Sequence, residues 1–350
     1  MPSREAPARA GWQHGAVSMS TAEQAPPRHR VTSLEVLCLV LLAALLAQGP
    51  LTALLDAPAL RTGATVFVAV CVQAMPFLVF GVLVSGAIAA FVPTSAFHRV
   101  LPHRPAAAVP VAGLAGMVLP GCECASVPVS RRLMQQGVPP AAALAFLLAA
   151  PAVNPVVLVS TAVAFPDEPR MVLARFAGSL ATALAMGWLW VRLGRSEWIA
   201  ERALRRSEHG AGRSRWEMFT ETARHDLVAS GGFLVLGGLT AAALNVLIPP
   251  EWMAAIGGQI LLGIGVMAVL AVVLALCSEA DAFVAASLSA LPLLPRLVFL
   301  VVGPAVDVKL IALQSGAFGR GFAARFAPAT FVVAICCAVG AGVLVLGGVR

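Results

Sequence analysis

The chain states one pattern twice. Cys124 and Asn154 sit in GCECASVPVSRRLMQQGVPPAAALAFLLAAPAVNPV, residues 121–156, and Cys277 and Asp307 sit in ALCSEADAFVAASLSALPLLPRLVFLVVGPAVDVKL, residues 275–310. Both pairs are 153 residues apart (277 − 124 and 307 − 154), so no gap separates the anchors, and Phe146 falls on Phe299. Upstream, FLVFG at 77–81 echoes FLVLG at 233–237, and Pro93 echoes Pro249, both at an offset of 156. An apolar chain whose halves echo each other at interrupted, polar-containing segments carries the sequence signature of a secondary transporter.

Composition agrees. The chain is 59% hydrophobic and 12% charged, with a mean hydropathy of +0.88, too little polar surface to cover a soluble globule. Apolar runs recur at 34–55, 64–92, 139–163, 170–193, 227–248, 259–277, 290–313 and 327–349, most of them long enough to cross a bilayer as helix. The expected fold is an all-α polytopic membrane protein of two repeats, each with a broken or re-entrant helix hairpin, plus an extra N-terminal helix. Its lipid partner is the inner (plasma) membrane. The net charge of +7 points to no nucleic acid, because its 23 arginines lie mostly between apolar runs.

Those arginines set a topology. Basic residues in the 1–33 tail, the 93–105 connection, the 194–226 linker and the 315–326 connection place all four in the cytoplasm by the positive-inside rule. The 164–169 and 249–258 turns have no basic residue and face out. These sides are compatible only if 106–135 enters from the cytoplasm, turns near Pro120-Gly121 and returns, with 259–290 its counterpart from outside. Arg131 and Arg132 then emerge in the cytoplasm. The units are a disordered tail (1–33), the extra helix (34–55), a first repeat (64–193), a surface linker (194–226) with Trp198 and Trp216 at headgroup level, and a second, inverted repeat (227–349). Two broken full spans and parallel halves are the alternative.

The chemistry gathers at the echoed segments. Pro120-Gly121 and Pro128 predict unwound backbone between them, tolerated at membrane depth only beside protein or a water-filled cavity. In extended backbone Cys122 and Cys124 share a side, which makes them one accessible dithiol site near Cys277. Glu123, Glu279, Asp281 and Asp307 are the carboxylates inside apolar segments, and the sole lysine, Lys309, lies two residues from Asp307. Intramembrane charges face a cavity, a partner or an ion path. The bland alternative is a structural ion pair, Asp307 with Lys309 or Lys309 with Glu279. Ser126 lies in the same segment. Asn154 and Asp307 are matched polar sites, each after a proline that frees a backbone carbonyl. A thiol pair beside carboxylates suits a soft, thiophilic solute, with the carboxylates exchanging protons. Cys38, Cys71, Cys336 and Cys337 read as small buried hydrophobes.

Three stretches, LPGCECASVP at 119–128, FLLAAPAVNPVVLV at 146–159 and CSEADAFVAAS with FLVVGPAVDVKLIALQSGAF, resemble the predicted permease family that includes the organoarsenical efflux permease ArsP. The likeness runs over about 64–345. It implies export of trivalent organoarsenicals and makes Cys122 and Cys124 the implied ligands. Many members carry a small residue where this chain has Glu123.

The leading expectation is a secondary permease exporting a small thiophilic solute by proton exchange. Direct ATP hydrolysis is excluded, since a phosphate-binding loop needs Gly-Lys-Ser/Thr and the sole lysine lies in Asp307-Val308-Lys309-Leu310. No cofactor or metal is called for. An intramembrane thiol oxidoreductase and a membrane subunit of a multi-component transporter are the alternatives, and a homodimer or an accessory subunit stays open.

Overall fold

The computed structural model describes residues 58–347, except 94, 95, 98, 100, 103, 120, 121, 205–213, 248–259, 289 and 290. The 1–33 tail, the 34–55 helix, the Pro120-Gly121 turn and the 249–258 turn lie outside the described residues. Everything described belongs to one compact unit, Leu55–Arg350. Among the described residues the fold is all helix.

The helices fall into two sets of six in the same order. The first set is α1 (Pro58–Phe91), α2 (Pro105–Ala115), α3 (Glu123–Gln135), α4 (Pro140–Val153), α5 (Pro155–Ala164) and α6 (Arg170–Leu193). The second is α7 (Arg215–Leu247), α8 (Ile260–Leu274), α9 (Ser278–Ser287), α10 (Leu293–Ala305), α11 (Val308–Ala317) and α12 (Arg320–Val345). Among the described residues, six segments are long and apolar enough to cross a bilayer: α1, α6, α7, α12 and the broken pairs α4–α5 and α10–α11. The most apolar windows of the broken pairs are 78% and 83% buried, against 28% for α1 and α12, so the broken helices form the centre. Leu297 through Val302 are all fully buried, as expected of a helix apolar on every side. The outer helices turn Val68, Val72, Val332 and Leu344 outward, an apolar exterior suited to lipid.

Packing is reciprocal between the halves. α1 lies against α7 and α6 against α12; α3 lies against α11, and its counterpart α9 against α5. The echoed glycines make two further contacts, each within one half. A Cβ on Gly81 would strike the Ala125 backbone of α3, and one on Gly237 would come within 2.8 Å of the Lys309 Cα of α11. FLVFG and FLVLG are therefore both close-approach points, but for helices at different places in the two sets, α3 and α11.

Three local expectations change. First, α2 packs chiefly on α4 and α8 on α10, while α3 lies against both α1 and α4 and α9 against both α5 and α10. Each segment is a pair of short helices on either side of a break. At 1.5 Å per residue neither leg reaches ~30 Å. Second, α7 starts at Arg215 instead of 227, so Trp216 belongs to the second set's first helix. Asp226 is 5% exposed inside it, because Ser85 Oγ donates to its Oδ2 at 2.7 Å and Arg132 Nη2 lies 3.5 Å away. Arg132 is buried by this pairing. Third, Cys336 is exposed and Cys71 and Cys337 are half-buried: they sit on outer helices, which turn part of their surface outward. Cys38 lies outside the described residues.

Candidate transport site

Three of the four anchors, Asn154, Cys277 and Asp307, immediately precede a helix. Asn154 ends α4 and caps α5: its Oδ1 accepts from Val157 N–H at 3.0 Å, and its Nδ2 donates to Ala150 O at 2.9 Å. Pro155 has no N–H to continue the ladder, so the side chain serves a carbonyl the break leaves over. Asp307 does the same at α11, accepting from Leu310 N–H at 2.5 Å. Cys122 and Cys277 hold the residues before α3 and α9, both in extended backbone. Four helix N-termini thus mark the four breaks, and their dipoles favour the negative charge the sequence places there. Glu123 lies in the first turn of α3, and Glu279 and Asp281 in that of α9.

The helix starts correct the alignment of the thiols. Cys277 matches Cys122, an offset of 155 (277 − 122), whereas Asn154 and Asp307 keep 153. The second half is two residues shorter between its breaks. The backbone correction follows: α3 begins at Glu123 and runs through Pro128, so the 120–128 stretch is not unwound throughout. Cys124 is already helical. The two thiols nevertheless meet, because one precedes the helix and the other lies in its first turn. The donor atoms of Cys122, Glu123 and Cys124 all lie within 4.8 Å of one another. The Cys277 thiol of the other half lies outside this group but close enough to Cys122 to interact with it electrostatically.

The cluster is closed. Cys122 and Cys124 are 0% exposed and Cys277 2%, so the dithiol is occluded in this conformation rather than accessible.

Lys309 chooses a partner that sequence proximity does not suggest. Its Nζ pairs with Glu123 Oε1, joining α11 of the second half to α3 of the first, and donates to Ala275 O at 3.3 Å. The pairs with Asp307 or Glu279 expected from spacing do not form. Ala275 turns its carbonyl inward from a left-handed backbone, φ 48°, which costs a non-glycine residue ~1–2 kcal/mol. Strain of this kind is held by surrounding structure and concentrates at functional sites.

The other carboxylates face a second cation, which sequence reasoning missed. Arg175 of α6 is fully buried and donates to Thr161 Oγ1 and Ser278 O, each at 2.7 Å. It interacts electrostatically with Asp281 and Glu279 and ties the first half to the tip bearing Cys277. The available signal was an arginine one turn inside an apolar run. Asp281 Oδ2, Asp307 Oδ2, Ser278 Oγ and Glu279 Oε1 are buried without a hydrogen-bond partner. Gly303 makes room for the first of these: a Cβ there would come within 2.7 Å of it. Ser126 turns its hydroxyl to Glu123 O at 3.1 Å, onto its own helix. Buried polar atoms with free capacity are what a ligand or a transferred proton uses.

The family model described as "Predicted permease" matches residues 59–343, all twelve helices of the two sets. The chain belongs to that family. It is 34% identical over 279 residues to the protein YcgR of Bacillus subtilis, a stretch covering 77% of this chain and 93% of that one. It is 30% identical over 280 residues to a Streptococcus mutans protein provisionally named a two-component membrane permease complex subunit, covering 78% and 93%. No solved structure matches the chain. The permease family and the six membrane-length helices make this a multi-pass membrane protein of transporter type.

Proposed function

We propose that the chain is a secondary permease of the inner membrane that exports a small thiophilic solute, such as a trivalent organoarsenical, in exchange for protons. The observation that carries this reading is the cluster of Cys122, Glu123 and Cys124 at one helix break, with Lys309 paired to Glu123 and Cys277 at the break of the other half. Thiols select soft centres. Their burial excludes competing water, and the part-satisfied carboxylates Glu279, Asp281 and Asp307 supply protonation sites within the same centre. The roles follow from position: Cys122, Cys124 and Cys277 hold the solute, and Glu123 and Lys309 brace the two halves. Asn154 and Asp307 fix the breaks, and Arg175 offsets the charge of Asp281 and Glu279. The topology that accompanies this reading is inverted, with the N-terminus and the 194–226 linker cytoplasmic; the loop arginines support it.

The test is uptake into everted vesicles with an imposed pH gradient, using phenylarsine oxide as solute. The reading expects uptake that collapses with the gradient and is absent from vesicles lacking the protein. Uptake indifferent to both removes it.

A second reading draws on the name of the Streptococcus mutans relative: the chain works as one subunit of a two-component permease complex. A second protein that co-purifies at fixed stoichiometry and is required for uptake supports it; full activity of the purified chain alone excludes it.

A further inference from the structure

We propose that Asp226 latches the cytoplasmic route to the thiols, and that the solute enters where α1 and α7, moving as a pair, lift from α3 and α11. The inference goes beyond the thiophilic reading and uses the thiols only as reporters. Asp226 sits on α7 where three helices meet. Ser85 of α1 donates to it at 2.7 Å, while Arg132 Nη2 and Arg131 Nη1 of α3 lie 3.5 and 3.9 Å away. The Ser85 bond lies within the α1–α7 pair; the two arginine contacts cross to α3. Arg131 and Arg132 end the helix that begins at Glu123, between the two thiols, about 12 Å away at 1.5 Å per residue. By the loop charges theirs is the cytoplasmic end of α3. A cavity of about 20 Å³, room for one water, follows α3 from Arg131 back to Pro128, with Asp226 and Phe233 of α7 and Gly316 of α11 in its walls. The Phe233 ring rests on Gly316, where no Cβ would fit, and closes α7 onto α11.

An asymmetry between the halves shows which elements move. α1 and α7 run antiparallel: Phe91 meets Trp216 with ring centres 6.0 Å apart, Ser85 meets Asp226, and Gly63 lies against Val246. In the shared helix order α3 corresponds to α9 and α11 to α5, and both cross-pairs, α3–α11 and α9–α5, are in contact. Yet α1 and α7 cover only the first, α1 on α3 and α7 on α11. Among the described residues no comparable contact joins α7 to α9 or α1 to α5. The uncovered pair turns Val159, Val163 and Phe283 outward. Two halves of one order have two equivalent ways to pack, and the structure occupies one of them. In the other, α1 and α7 lie on α5 and α9, the contacts of Asp226 to α3 are parted, and α3 is open to the cytoplasm. Apolar faces are exchanged for apolar faces, so the buried charge of Asp226 is what favours the closed arrangement.

The test labels the full chain, with Cys38, Cys71, Cys336 and Cys337 replaced by alanine, in everted and right-side-out membrane vesicles. The probe is a membrane-impermeant sulfonated maleimide, and peptide masses locate the label. Asp226→Asn keeps an acceptor for Ser85 and removes the charge that faces the arginines. It should raise labelling of Cys122 and Cys124 at least about tenfold in everted vesicles, the effect of losing one charge-assisted hydrogen bond, and leave it unchanged in right-side-out ones. Arg132→Gln should do the same, and decides the matter should Asp226→Asn not fold. Ser85→Ala touches only the bond within the moving pair and should label close to the parent rate. Parent-rate labelling in either folded variant overturns the latch. So does an equal gain from both faces or in Ser85→Ala, which marks general loosening, and so does failure of both charge variants to fold, which makes Asp226 structural. None of these outcomes reads uptake, so the thiophilic reading stands or falls separately on the uptake assay.

Discussion

Asp307 and Asn154 fill one structural role with different charge. Each caps a half-helix from a broken span, and the cap needs only a side-chain oxygen. Asp307→Asn keeps the oxygen that accepts from Leu310 N–H and removes the charge. We expect uptake to fall at least about tenfold while thermal stability in detergent stays within ~0.5 kcal/mol of the parent. Normal uptake would make the carboxylate structural. Lys309 and Glu123 give the contrasting case. Each is 1% exposed or less, so removing one partner leaves a bare charge in the interior. Glu123→Gln alone should cost about 3–5 kcal/mol, and the double variant with Lys309→Met should recover most of it. Denaturation midpoints in detergent would measure both. A single variant as stable as the parent would show that the pair is not holding the halves together.

Elements carry the next level of the design. Helices α3 and α11 approach α1 and α7 over single glycines. Gly81→Ala and Gly237→Ala each place a methyl against backbone, which cannot move aside as a side-chain tip can. Both should destabilise by ~1–3 kcal/mol, whereas Gly231→Ala and Gly232→Ala, with nothing within 4 Å, should be neutral or mildly stabilising. Equal effects at all four positions would remove the close-approach account.

Much of this was legible beforehand. Asn154 and Asp307, 153 residues apart, both cap a half-helix, and both echoed glycines sit at close approaches; the reading that put the acids of apolar segments only in the echoed motifs missed Asp226. The register of the thiols did not carry over, because equal spacing was carried past a two-residue length difference between the breaks. Lys309 took Glu123 rather than a neighbour because the reciprocal packing of α3 on α11 brings the other half closer than sequence proximity does. Arg175 and Asp226 escaped notice for one reason: long apolar helices can absorb a charge whose partner lies far away in sequence, and run length alone gives no sign of it.

At the scale of the molecule the two sets of helices share order, break positions and reciprocal contacts, the arrangement from which alternating access is built. Inverted halves put the linker and the C-terminus on opposite faces. Cysteine labelling at Gly210 and Arg350, in a background lacking the outer cysteines, should show the first reactive from the cytoplasm and the second from outside. Reaction from one face would instead give parallel halves.

The central claim is that the thiols at the breaks carry the solute. The most direct measurement is phenylarsine oxide uptake into proteoliposomes by the Cys122→Ser/Cys124→Ser variant, beside a variant in which Cys71, Cys336 and Cys337 are all alanine. The account predicts loss of nearly all uptake in the first and near-parent uptake in the second. Uptake at the parent rate by the double serine variant would contradict it.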